Sequence, residues 1–188
     1  MDKMTASRIS GGNTAYKRVE SDFYPTPPDC TAALLNFLDL QRGTRIWEPA
    51  CGENHMVDVM RGRGYKVTGT DIQSGTDFLT ADMIPCDWII TNPPFSLADK
   101  FIERCIEHGK PFALLLKSQY WHAKKRLPLF WQNPPAYICP LTWRPDFMFK
   151  TRGKGSPLMD VMWVIWTSRP ETRYIPLQRP AQDGEAGG

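Results

Sequence analysis

Asp87-Trp88-Ile89-Ile90-Thr91-Asn92-Pro93-Pro94-Phe95 is the stretch from which the rest of the chain is read. Residues 87–91 are a short apolar run of the kind that forms a buried strand. Pro93 and Pro94 have no amide hydrogen, so they stop the strand and stiffen the turn at its carboxyl end. In open α/β sheets that edge is where ligands bind. Asn92 offers a side-chain carbonyl, Pro93 a main-chain carbonyl that no ladder continues past, and Phe95 a flat ring. Two acceptors and a ring suit a planar group that carries an exocyclic amine. An Asn-Pro turn that only ends a strand has the same local sequence, and the flanking segments decide between the two.

Upstream, Thr44-Arg45-Ile46-Trp47 reads as a strand that runs into Glu48-Pro49-Ala50-Cys51-Gly52-Glu53-Asn54. A helix follows from His55 to Arg63, with Met56, Val59 and Met60 on its apolar side. Small residues at Ala50, Cys51 and Gly52 let a ligand approach the backbone, and the helix turns free N–H groups toward that turn. Tyr65–Thr70 alternates as a second strand and ends at Asp71. An acid at that place either grips ribose hydroxyls or caps a turn. In the next crossover, Asp77 and Phe78 either hold an adenine ring or are a loop acid beside a core aromatic. Before all of this, Asp22-Phe23-Tyr24-Pro25-Thr26-Pro27-Pro28 is a stiff extended loop that places Tyr24 and Thr26. Asp29 then reads as the cap of a helix to Leu40, with Ala33, Leu34, Phe37 and Leu38 inward.

Downstream, Ala98–His108 reads as a helix, Pro111–Leu116 as a buried strand and Trp121–Phe130 as a helix. Strands at Tyr137–Cys139 and Met159–Thr167 follow. The alternation predicts an α/β fold, a doubly wound and mostly parallel sheet. With no clear helix between the last two strands, they form a closing antiparallel hairpin. Residues 1–20 read as a flexible arm, 21–169 as one domain and 170–188 as a flexible tail.

The chain has 188 residues, enough for one domain with a real core. Its net charge of +3 says little about a polyanionic partner, so the placement of cations matters more. One basic segment holds Trp121, Lys124, Lys125 and Arg126, and another holds Arg144, Lys150, Arg152 and Lys154. Both mix cations with aromatic or glycine residues, as surfaces that track a nucleic-acid backbone do, although charge runs also serve only to solvate loops. The five cysteines are scattered and never spaced as a Cys-x-x-Cys pair. That predicts reduced thiols, a cytoplasmic location and no metal. No stretch is apolar enough to span a membrane, and the first residues lack a signal-peptide core.

Taken together and in this order, these segments resemble the class I S-adenosylmethionine-dependent methyltransferases, specifically the DNA adenine-N6 enzymes. The resemblance covers residues 22 to 167 and is strongest to the small enzymes of phages and prophages. Asp22–Pro28 resembles the amino-terminal cofactor loop and Glu48-Pro49-Ala50-Cys51-Gly52 the glycine motif. Asp71 resembles the ribose-binding acid, with Ile72 beside it, and Asp77-Phe78 the adenine contact. Asn92-Pro93-Pro94-Phe95 resembles the catalytic motif. The resemblance implies S-adenosylmethionine as cofactor, bound by Tyr24, Thr26, Glu48, Ala50, Cys51, Gly52, Asp71, Ile72, Asp77, Phe78 and Asn92. It implies DNA as partner, RNA less so, and a short or relaxed target, because little sequence is left for reading base edges. It also implies that duplex DNA would flip its target base out of the stack. Many relatives have a second glycine where this chain has Asn54, and Asn tolerates left-handed backbone better than most residues.

Rival activities share part of this pattern: methylation of adenine in RNA, methylation of a protein glutamine, and nucleic-acid binding without catalysis. Glutamine methyltransferases resemble the tetrapeptide with Tyr at the aromatic position and add an amino-terminal helical domain, whereas this chain has Phe95 and no such domain. A relative that binds nucleic acid without catalysis would be expected to lose Asn92 or Asp71. Pro85-Cys86 is the dipeptide of cytosine-C5 enzymes, but here it precedes the strand instead of ending it.

Overall fold

Short apolar segments bounded by glycine, proline or an acid make up the middle of the sheet. The computed structural model describes residues 24–147, 157, 159–169 and 171–181. Its strands are β1 (Arg45–Glu48), β2 (Lys66–Gly69), β3 (Trp88–Thr91), β4 (Phe112–Lys117), β5 (Tyr137–Pro140), β6 (Val161–Trp166) and β7 (Arg173–Tyr174). Across the sheet they run in the order β2-β1-β3-β4-β6-β5-β7. The first four are mutually parallel, so the doubly wound, mostly parallel α/β sheet expected from the sequence is what the chain builds. The chain leaves β1 to one side for β2 and returns on the other side for β3. The gap between β1 and β3 is therefore the topological switch point, the place where such sheets hold ligands.

The expected closing hairpin takes a different form. β5 and β6 do pair antiparallel, but β6 also pairs antiparallel with β4 and lies between the two. The edge is β7, which runs parallel to β5. The reason is burial. β4 and β6 are apolar on both faces along almost their whole length, so they belong inside the sheet and not at its margin.

The helices are α1 (Pro28–Leu38), α2 (His55–Gly62), α3 (Ala98–His108) and α4 (Leu127–Gln132). Successive strand residues face opposite layers. Ile46, Ala113 and Leu115 pack with Leu34 and Leu35 of α1 and Met60 of α2. Trp47, Leu114 and Leu116 pack with Phe101, Ile102 and Cys105 of α3. Each face of the sheet thus has its own core.

Three other expectations change. α1 begins at Pro28, with Pro27 as its cap residue, because proline suits a first helical position. Asp29 is therefore not the cap; its carboxylate accepts from Trp143 Nε1 at 3.1 Å and Arg179 Nε at 2.8 Å. The helix ends at Leu38 with Asp39 in left-handed conformation, φ 44, and it buries Leu35 more than Phe37 or Leu38. Residues 121–130 are not one helix. Two 3₁₀ turns, Ser118–Trp121 and Lys124–Arg126, precede α4, and extended Ala123 separates them. Pro128 has no N–H to donate to a longer helix and stands in the first turn of α4 instead. Residues 171–181 are not a loose tail. β7 hydrogen-bonds β5, Leu177 is buried, and Arg179 pairs with Asp29. The expected arm at 1–20 and the end at 182–188 lie outside the described residues.

Candidate active site

The carboxyl ends of β1, β2 and β3 supply three loops to one cleft. Its space, open mouth and adjoining solvent included, is about 920 Å³. Tyr24, Thr26, Glu48, Ala50, Cys51, Asp71, Ile72, Asp77, Phe78, Asn92, Pro93 and Pro94 all line it. Residues scattered over the first half of the sequence are thereby brought together. Of the other predicted site residues in this region, Gly52 and Phe95 are not among the lining residues.

After β1 the chain turns through two left-handed residues, Gly52 at φ 47 and Asn54 at φ 68. Asn54 thus takes the conformation that a second glycine would supply. Glu48 is fully buried. Its Oε1 accepts from Ala50 N at 3.1 Å and from the Thr91 hydroxyl, while its Oε2 has no partner among the described residues. Burial pushes the Glu48 carboxyl up to about 8, against the pull of the Thr91 and Ala50 hydrogen bonds. Thr91 was not singled out from the sequence, because a threonine ending an apolar run looks like an ordinary strand residue. Gly69 was also missed. A Cβ there would stand 3.0 Å from Val57 Cγ2 and 3.1 Å from Cys51 Cβ, so any side chain would press β2 against the glycine turn by a few tenths of an ångström.

Of the two roles the sequence allows Asp71, the structure shows the capping one and adds a tie between loops. Its Oδ1 accepts from Gln73 N at 2.9 Å and caps the Ile72–Ser74 turn. Its Oδ2 accepts from Gly52 N at 2.9 Å and ties the two loops together. Each oxygen still has a lone pair to offer. Beside it, Ile72 is 68% exposed, an apolar side chain standing at the cleft. Asp77 Oδ1 accepts from Leu79 N at 2.9 Å, so the acid organises its own turn. Phe78 is 2% exposed and packs on Phe101 and Trp47, with ring centroids at 4.9 and 5.1 Å. It is a core aromatic whose edge reaches the cleft.

At the end of β3, Asn92 Nδ2 donates to the Tyr24 carbonyl at 3.1 Å and to Thr26 Oγ1 at 3.0 Å. Asn92 Oδ1 is buried and has no hydrogen-bond partner among the described residues. Such an orphan is rare enough to need an explanation. Phe95 is half-buried, its ring 5.6 Å from that of Tyr24 and tilted by 35°. Lys117, the last residue of β4, places Nζ 4.5 Å from the Phe95 ring centroid.

The predicted nucleic-acid residues divide. Arg126 is turned inward: Nε meets Asp99 Oδ1 at 2.7 Å, Nη1 donates to the Tyr120 carbonyl at 2.8 Å, and the guanidinium lies 4.0 Å over the Tyr120 ring. Trp121 faces Met162 Sδ and packs on Phe130. Both make packing contacts within the chain. Lys125 pairs with Asp99 yet is 71% exposed. Lys124 is exposed, and Arg144 pairs with Asp160. Lys150, Arg152 and Lys154 lie outside the described residues. Among the described residues no cluster of three His, Cys, Asp or Glu side chains is placed to hold a metal, and no helix is long and apolar enough to cross a membrane.

No protein-family model matches the chain. A type II methyltransferase of Mycoplasma genitalium is 41% identical over 56 residues, which make up 28% of this chain and 18% of that protein. A solved structure described as a class I S-adenosylmethionine-dependent methyltransferase of Listeria monocytogenes superposes with TM-score 0.57 at 13% identity, covering 86% of this chain and 67% of that one. The methyltransferase subunit of a type I restriction-modification system from Streptococcus thermophilus gives 0.57 at 12% identity, over 93% of this chain and 50% of that one. A modification subunit described as that of a type I restriction enzyme from Vibrio vulnificus gives 0.55 at 14%, over 97% and 51%. The chain spans about half the length of these two subunits. With the sheet order and the switch-point cleft already in place, these likenesses show that the chain is built on the class I S-adenosylmethionine-dependent methyltransferase fold.

Proposed function

We propose that the chain transfers a methyl group from S-adenosylmethionine to the exocyclic N6 amine of adenine in DNA. The observation that carries this reading is the buried, unpartnered Oδ1 of Asn92 at the end of β3, in the wall of the switch-point cleft. The cleft also fits the cofactor. The Asp71 carboxylate, with lone pairs left over, would hold ribose hydroxyls, and exposed Ile72 would pack on the adenine ring. Glu48, whose Oε2 is buried without a partner, would face the methionine end. When bound, the cofactor supplies an electrophilic methyl group on a sulfonium.

What remains falls to residues of this chain. Adenine's amino lone pair is delocalised into the ring and is a poor nucleophile. Asn92 Oδ1 would accept one N6 hydrogen and the Pro93 carbonyl the other. Both draw density back onto nitrogen and favour a pyramidal amine. Phe95 would stack on the base. Catalysis is then positioning and electrostatics, with no covalent intermediate.

DNA as the substrate is supported by the restriction-modification proteins among the relatives. It is also supported by exposed Lys124 and Lys125, in the segment that follows the carboxyl end of β4. Lys150, Arg152 and Lys154 would add phosphate contacts. Phosphate contacts position a duplex and carry little sequence information, which favours a short or relaxed target. Transfer of tritium from labelled S-adenosylmethionine, followed by nucleoside analysis, tests the reading. Label in N6-methyladenine of DNA is expected. Label confined to RNA, to protein or to cytosine would overturn it.

A further inference from the structure

Asn92 has an amide whose two ends are chemically opposite, and which end meets the substrate decides what the substrate can be. The amino end is fully committed, with one hydrogen on the Tyr24 carbonyl at 3.1 Å and the other on Thr26 Oγ1 at 3.0 Å. Neither partner comes from β3; both lie in the loop that precedes α1, more than sixty residues away in the chain. Thr26 is 4% exposed, so water does not compete for its hydroxyl. The oxygen end is buried and unpartnered in the wall of the cleft.

We propose that the Tyr24 carbonyl and the Thr26 hydroxyl form a polarity lock that holds the Asn92 amide with its oxygen toward the substrate. Tyr24 O is an acceptor only, whereas the Thr26 hydroxyl can donate or accept. Turning the amide over would set Asn92 Oδ1 against Tyr24 O, two acceptors with no hydrogen between them. It would also present an N–H to the substrate. The lock therefore makes the site a receiver of N–H donors. It takes a purine with an amino group at position six and repels one with an oxo group there, whose oxygen would meet Oδ1. Thr26 is in this sense a positioning residue that acts through Asn92, and the Tyr24–Thr26 loop must be docked before the amide is set. The inference rests on the reading of Asn92 as the amine acceptor.

The test uses the full chain as wild type, Thr26→Val and Thr26→Ser. Valine keeps the shape and removes the acceptor; serine keeps the acceptor. In protein labelled with ¹⁵N-asparagine, the Asn92 side-chain pair is the signal that disappears in Asn92→Ala. Both of its hydrogens are expected to exchange slowly in wild type and Thr26→Ser, and one is expected to lose protection in Thr26→Val. With S-adenosylmethionine and DNA, kcat in Thr26→Val should fall roughly tenfold, the worth of one neutral hydrogen bond. Cofactor affinity by calorimetry should fall much less than kcat, and Thr26→Ser should restore the rate. A folded Thr26→Val with unchanged exchange and unchanged kcat overturns the lock. So does a loss of cofactor affinity with the Asn92 signal unmoved, which would make Thr26 a cofactor contact. The exchange measurement needs no turnover. If wild type methylates no DNA while the exchange pattern is as expected, the lock stands and the adenine reading falls.

Discussion

Glu48 and Asn92 each bury a polar atom that nothing among the described residues satisfies, and both residues line one cleft. For Glu48 the consequence is a pH dependence of stability. In the unfolded chain its carboxyl titrates near 4.5, and in the folded protein burial pushes it up to about 8. Between those values the unfolded chain gives up a proton that the folded protein keeps. The unfolded state then binds fewer protons, so this group's contribution to stability falls as pH rises through that window. The melting temperature should decline from pH 5 to 8 in wild type, and the decline should shrink in Glu48→Gln. An equal slope in the variant would place the origin elsewhere. For Asn92 the consequence is kinetic. Asn92→Ala should lower kcat by roughly 10²-fold or more, far more than it lowers cofactor affinity by calorimetry; near-normal turnover would remove the tetrapeptide from catalysis. Both residues were legible in the sequence because proline and glycine punctuate the chain beside them. Thr91, which donates to Glu48, was not, because its importance comes from a neighbouring strand.

The segment between β4 and α4 is held by a polar knot. Asp99, in the first turn of α3, accepts from Tyr120, Arg126 and Lys125. Burial pushes the Asp99 carboxyl up, but the hydrogen bonds from Lys125, Tyr120 and Arg126 outweigh it and hold it at about 2. This contribution to stability is present above the ordinary carboxylate value of 3.8 and is lost as pH falls toward 2. The knot separates cations that look alike in sequence. Lys124→Ala should weaken DNA binding and reduce the slope of log affinity against log salt by about 0.9, one phosphate's worth. Arg126→Ala should leave that slope unchanged and speed amide exchange across residues 118–126. The reverse pattern would make Arg126 the phosphate contact. Sequence reading took both as DNA contacts because the partner of Arg126 stands 27 residues away. The helix expected at 121–130 failed for a local reason, the extended backbone at Ala123.

On the scale of the whole molecule, the parallel half of the sheet was legible and the far edge was not. β1 to β4 announce themselves as apolar runs with turn residues after them, whereas β7 has only two residues, both exposed, and shows no alternation. Its place comes from partners: Arg173 N donates to Ala136 O at 2.9 Å, Leu177 N to Pro140 O at 2.8 Å, and Arg179 reaches Asp29 on α1. A variant ending at residue 170 should therefore melt several degrees lower by calorimetry, since it loses buried Leu177 and the tie to α1. An unchanged melting temperature would show the segment to be dispensable. The position of β6 bears on how the protein is made. β4 and β5 leave the ribosome before β6 exists, yet neither touches the other in the finished sheet, because β6 fills the space between them. Until residues 161–166 are synthesised, the apolar strand Phe112–Leu116 offers one unpaired edge to any passing chain, the kind of surface that invites aggregation. The strands that carry the cleft can assemble early, while the molecule stays adhesive until its last long strand is threaded into a slot already flanked on both sides.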